Sequence, residues 1–200
     1  HANRDVWTWA AAVSIAAEVR RELIVQPRAR LLLSGGSTPG PVYRALSQAP
    51  GDWGRVDGGL GGERGLLPDE PDSTAWLVQR DLLPDHAAVA RFEPMTQAGR
   101  NLEGAVATAN AHARRAAAVA VFGMGEDGHT ASLFPGMQGL DRALASPRDY
   151  VAVDASGCPG ATCPARPRGP TAAPSARPAG CTALRCRSSA ASAWRWWAPA

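Results

Sequence analysis

Leu31-Leu32-Leu33-Ser34-Gly35-Gly36-Ser37-Thr38-Pro39-Gly40 reads as a strand running through a loop of glycines and hydroxyls into a helix. Ala29–Leu33, apolar except for Arg30, reads as a short buried strand, and Thr38 and Pro39 suit the cap and first turn of a helix over 39–46. Glycines let the backbone turn several N–H groups toward one point, the helix N-terminus adds a favourable dipole, and Ser37 and Thr38 offer hydroxyl donors. Such a loop suits a phosphate. The plainer alternative is a strand-to-helix turn in which Thr38 only caps the helix.

The same grammar repeats outward from this stretch. Residues 5–25 read as an amphipathic helix with Val6, Trp9, Ala10, Val13, Ala16, Ala17, Leu23 and Ile24 on its apolar face, a pattern that outweighs a secretion leader with Arg4 as its basic region. Residues 72–83 read as a helix capped by Asp72 or Ser73, 90–92 as a strand, 97–117 as an Ala-rich helix and 118–122 as a further buried strand. Strands alternating with helices predict βαβ units and a mostly parallel sheet with helices on both faces.

Composition bounds the rest. Two hundred residues with 45% hydrophobic content make one ordinary domain, and no run approaches the roughly 18 apolar residues of a membrane span. The net charge of +3 divides unevenly, with every acidic residue before position 155 and the last 46 residues carrying only Arg. Every basic residue is Arg and none is Lys, a coding bias that predicts no nucleic-acid partner. After Asp154 the periodicity stops, and the segment is rich in Pro, Ala and Arg and lacks Val, Ile, Phe, Tyr and Met. The expected organisation is an incomplete domain over 1–154 and a disordered tail over 155–200 that supplies no core element. All four cysteines lie in that tail, so the body suits a reducing, cytoplasmic setting. Their four-residue gaps are unlike the two-residue knuckles of zinc modules.

A second informative stretch is Gly123-Met124-Gly125-Glu126-Asp127-Gly128-His129-Thr130-Ala131-Ser132-Leu133-Phe134-Pro135. It places a histidine at the carboxyl edge of the sheet, where open α/β sheets bind ligands. His129 has the chemistry to take or give a proton near neutral pH, and Asp127 can fix its tautomer. An ordinary hydrogen-bonded loop histidine is the alternative. His1, His86 and His112 form no metal-ligand spacing with it.

Ser34-Gly35-Gly36-Ser37-Thr38-Pro39 and the 123–135 stretch resemble, in order and separation, the two signature segments of the 6-phosphogluconolactonase family. Gly62-Glu63-Arg64 with Pro68, followed by Asp72-Ser73-Thr74, is similar to the family's middle elements. The resemblance covers about residues 5–154. It implies a Rossmann-like α/β fold, a mostly parallel sheet flanked by helices with the C-terminal elements missing. The implied reaction is hydrolysis of 6-phosphoglucono-1,5-lactone, with no metal or organic cofactor, a small sugar-phosphate lactone as partner, and neither nucleic acid nor membrane. On this resemblance His129 is the catalytic base, Asp127 orients its loop, and Arg64 binds phosphate or steadies the oxyanion. Gly35, Gly36, Ser37 and Thr38 hold the phosphate.

Departures from the pattern carry their own expectations. Gly62 stands where the family places an Asp, and Val56-Asp57-Gly58-Gly59-Leu60-Gly61 stands where it places an apolar strand. Past Asp154 the family's closing strands and a phosphate-holding lysine are missing, which leaves the 34–40 loop and Arg64 to act alone and predicts low activity. A shifted reading frame in GC-rich DNA accounts for such a tail. The alternatives are a glucosamine-6-phosphate deaminase, from which Ser132-Leu133-Phe134-Pro135 departs, and an inactive product of a damaged gene.

Overall fold

The computed structural model describes residues 3–155, Cys158 and the backbone of 180–184. Its helices are α1 (Arg4–Val25), α2 (Pro39–Ser47), α3 (Thr74–Asp81), α4 (Leu102–His112) and α5 (Leu140–Ala145). Its strands are β1 (Ala29–Leu33), β2 (Val56–Leu60), β3 (Gly62–Glu63), β4 (Arg91–Phe92), β5 (Val119–Ala120), β6 (Tyr150–Asp154) and β7 (Gly180–Leu184). A parallel sheet in the order β4-β2-β1-β5 is flanked by helices, and an antiparallel sheet in the order β3-β7-β6 stands beside it. The expected α/β class and mostly parallel main sheet are present.

The core gathers on β1, whose Ala29, Leu31, Leu32 and Leu33 are buried among Val42, Tyr43, Leu46, Val56 and Leu60. A strand covered on both faces is apolar at consecutive positions, as Leu31, Leu32 and Leu33 are, and only Arg30 breaks the pattern. Helix α1 forms where expected, with the Asn3 side chain accepting from the Asp5 N–H at 2.7 Å. Its face is corrected in part: Thr8, Ala11, Ala12, Ile15 and Val19 are buried and Ala16 and Leu23 pack half-buried against the core, while Val6, Trp9, Val13 and Ile24 are exposed. Thr8, Ala11 and Ala12 are small enough to let the helix approach the sheet closely.

Three further expectations change. Val56–Leu60 is a full strand despite Gly58 and Gly59, paired in register from Ala29↔Val56 to Leu33↔Leu60. Backbone pairing to an apolar neighbour outweighs local propensity there. The 97–117 helix shrinks to α4, because Gly99 takes φ +79° and Asn101 caps the helix by accepting from the Gly104 N–H at 2.9 Å. Beyond Asp154 the expectation of no element fails at 180–184, where β7 pairs antiparallel with β3 and β6. Strand pairing uses the backbone and needs no apolar side chain. Ala155 and Cys158 are also buried, against Phe134 and Met137. The rest of the tail, with the expectation of disorder there, lies outside the described residues. Among the described residues no helix is long and apolar enough to cross a membrane.

Candidate functional site at the strand ends

The carboxyl ends of β1, β2 and β5 open into one cleft of about 600 Å³, lined by the 34–39 loop, Gly61, Gly62, Arg64, the start of α3 and the 122–132 segment. Of the residues singled out in the sequence, Gly35, Gly36, Ser37, Thr38, Arg64 and His129 all line it. Asp127 stands behind His129.

The first loop is fixed by the scaffold. Tyr43, fully buried on α2, donates its hydroxyl to the Ser34 carbonyl and accepts the Ser34 N–H, both at 2.9 Å. Burial pushes the Tyr43 hydroxyl up to about 12, so it remains protonated and able to donate. Gly35 has no alternative, since an added Cβ would lie 2.7 Å from Thr74 Oγ1, and Gly36 takes φ +103°. Thr38 makes no capping hydrogen bond with its side chain. The simple cap reading is therefore not what the structure shows. The Ser34 hydroxyl is buried with no partner.

The second loop is fixed largely by itself. The Gly125 N–H donates to the His129 carbonyl at 2.8 Å, the Gly128 N–H to the Gly125 carbonyl at 2.9 Å, and Thr130 Oγ1 to the Gly123 carbonyl at 3.1 Å. Gly128 takes φ +83° and Ala131 φ +51°. His129 Nδ1 lies 2.6 Å from Asp127 Oδ1, and the same oxygen accepts the His129 N–H at 3.2 Å. The imidazole beside it holds the Asp127 carboxyl below the usual carboxylate range. Because an ionised carboxylate only accepts, this pairing puts the proton on Nδ1 and leaves Nε2 as the acceptor. The Phe134 ring packs on the imidazole with centroids 4.5 Å apart.

Three residues in or behind the cleft carry roles that the sequence did not assign. Glu63, 1% exposed, accepts from the N–H groups of Arg64, Thr74 and Ala75 at 2.8, 3.2 and 3.1 Å. It ties β3 to the N-terminus of α3, and burial pushes its pKa up against those three donors. Arg80 lines the cleft from α3, where the i,i+4 spacing from Trp76 was the only signal. Ser34 was the third. Among the described residues no three His, Cys, Asp or Glu side chains converge as metal ligands. Three of the four tail cysteine side chains lie outside the described residues.

The model of the glucosamine-6-phosphate isomerase/6-phosphogluconolactonase family matches residues 2–164, ten residues past the boundary set in the sequence. A 6-phosphogluconolactonase of Xylella fastidiosa (strain Temecula1) is 48% identical over 162 residues, 78% of this chain and 67% of that protein. One of Rhizobium meliloti is 39% identical over 160 residues, covering 78% and 69%. The crystal structure of a 6-phosphogluconolactonase from Shewanella baltica superposes with a TM-score of 0.74 at 28% identity, covering 91% of this chain and 71% of that one. With the cleft built as described, this chain belongs to the glucosamine-6-phosphate isomerase/6-phosphogluconolactonase family.

Proposed function

We propose that this chain hydrolyses 6-phosphoglucono-1,5-lactone to 6-phosphogluconate, as the names of its relatives indicate. The observation that carries the reading is the Asp127–His129 pair facing the Gly35–Thr38 loop across one cleft. His129 Nε2 takes a proton from water as the water oxygen bonds to the lactone carbonyl carbon. The tetrahedral intermediate then collapses, the bond from that carbon to the ring oxygen breaks, and the imidazolium returns the proton to that oxygen. No net proton is consumed by His129. Asp127 keeps the imidazole in the required tautomer and stabilises its charged form.

The loop N–H groups, the α2 N-terminus and the Thr38 hydroxyl make a phosphate cradle, with Arg64 as cation or as support for the oxyanion. Holding the remote phosphate places the carbonyl against His129, so binding energy there serves turnover as well as affinity. The assay is the lactone hydrolysis rate in excess of spontaneous opening, run beside ammonia release from glucosamine 6-phosphate. An excess rate that falls about 10²–10⁴-fold in His129→Ala is expected. Ammonia release without lactone hydrolysis would overturn the reading.

A further inference from the structure

We propose that Arg80 is the second cation of the cleft and holds the substrate phosphoryl group together with the 34–40 loop. The proposal rests on the sugar-phosphate reading of the cleft and adds a residue to it. A charged helix residue that ion-pairs with its neighbour is commonly a solvated surface feature. Arg80 differs in how it is held. Residues i and i+1 do not face each other on a helix, so its side chain folds back to reach Asp81. It does so through two bonds, Nε to Oδ1 at 2.8 Å and Nη2 to Oδ2 at 2.6 Å. Its guanidinium also lies 4.4 Å from the Trp76 ring centroid, which fixes the plane of the fork.

Asp81 is the anchor, 3% exposed, and it also pairs with Arg44 at 3.0 Å. One carboxylate between two guanidinium groups leaves the cluster with a net positive charge. Burial works to raise the Asp81 pKa, but the two arginines hold it below the usual range, so the anchor stays ionised at neutral pH. An added Cβ on Gly40 would meet Asp81 Oδ2 at 2.7 Å, which puts this anchor against the first turn of α2, the helix that the phosphate loop opens. Arg80 lines the same cleft as Gly35, Gly36, Ser37 and Thr38. Two of its five N–H donors are spent on Asp81, and the remainder suit bidentate recognition of a phosphoryl group.

The test is calorimetric titration of the full chain with 6-phosphogluconate, glucose 6-phosphate and inorganic phosphate, repeated on Arg80→Gln and Arg80→Lys. All three ligands share only the phosphoryl group, so each should lose about tenfold or more in affinity in Arg80→Gln, by a similar factor. Arg80→Lys should recover part of the loss, and the lactone KM should rise in step. Arg80→Met, which keeps the apolar stem on Trp76, replaces Arg80→Gln should the latter fail to fold. Unchanged affinity for the three ligands overturns the proposal, as does a loss confined to 6-phosphogluconate or a wild-type chain that binds none of them. Arg80-dependent binding without lactone turnover would sink the lactonase reading and leave this one standing. Turnover lost in His129→Ala, with KM unchanged in Arg80→Gln, would do the reverse.

Discussion

The two loops that meet in the cleft are both glycine-rich and both leave the carboxyl ends of adjacent strands, yet they are held in opposite ways. The 34–40 loop borrows its shape from the fold, through Tyr43, Thr74 and the α2 helix. The 123–132 loop is closed mainly by hydrogen bonds among its own residues and by the Asp127–His129 pair. A loop built by the scaffold presents backbone donors to an anion and tolerates little loss of the core behind it. A loop built by itself can aim a side chain, and depends on a few local contacts.

The largest effect that separates the two is expected at Gly125. A Cβ there would overlap the His129 ring and come 2.7 Å from Asp127 Oδ1, so the pair of side chains has to move. Gly125→Ala should displace the imidazole and lower kcat by about 10²-fold or more, with the melting temperature almost unchanged. Steady-state kinetics beside a thermal melt measure both. A variant of normal kcat would show that the second loop is not set by its own packing.

The first loop should respond in stability. Tyr43→Phe removes the hydroxyl that both donates to and accepts from Ser34, leaving a buried N–H and a buried carbonyl unpaired. We expect a loss of about 2 kcal/mol in urea unfolding, with kcat reduced far less than in Gly125→Ala. Equal damage to kcat and stability would erase the distinction between the loops.

How far the sequence reaches follows the same division. Strand β1, the two glycine loops and the α3 cap at Ser73 were legible because each rests on a local rule: an apolar run, a glycine before a helix, a side chain accepting from the Trp76 N–H. Strand β2 was obscured because its partner, not its own residues, makes it a strand. The buried face of α1 was misassigned in part because periodicity gives a stripe and not which of two stripes fits against the sheet. Glu63, Ser34 and Arg80 were missed for one reason. Their roles depend on residues 9 to 12 positions away or on another element, and no spacing rule announces a carboxylate that caps a helix from outside it.

The smallest expected effect concerns the proton on Asp127. Its pairing with His129 holds the carboxyl below its ordinary 3.8. A folded value below the unfolded one means that the pair stabilises the loop above pH 3.8, and that this contribution is lost as pH falls through the lowered value. Both side chains are partly exposed, 24% for His129 and 35% for Asp127, so salt should screen the effect. Carbon NMR titration of the Asp127 carboxyl should give a midpoint below 3.8 in the wild type, rising toward 3.8 in His129→Ala and, more weakly, in high salt. A midpoint that ignores the loss of His129 would mean that the imidazole does not face Asp127 in solution, and the self-held geometry of the second loop would fail with it.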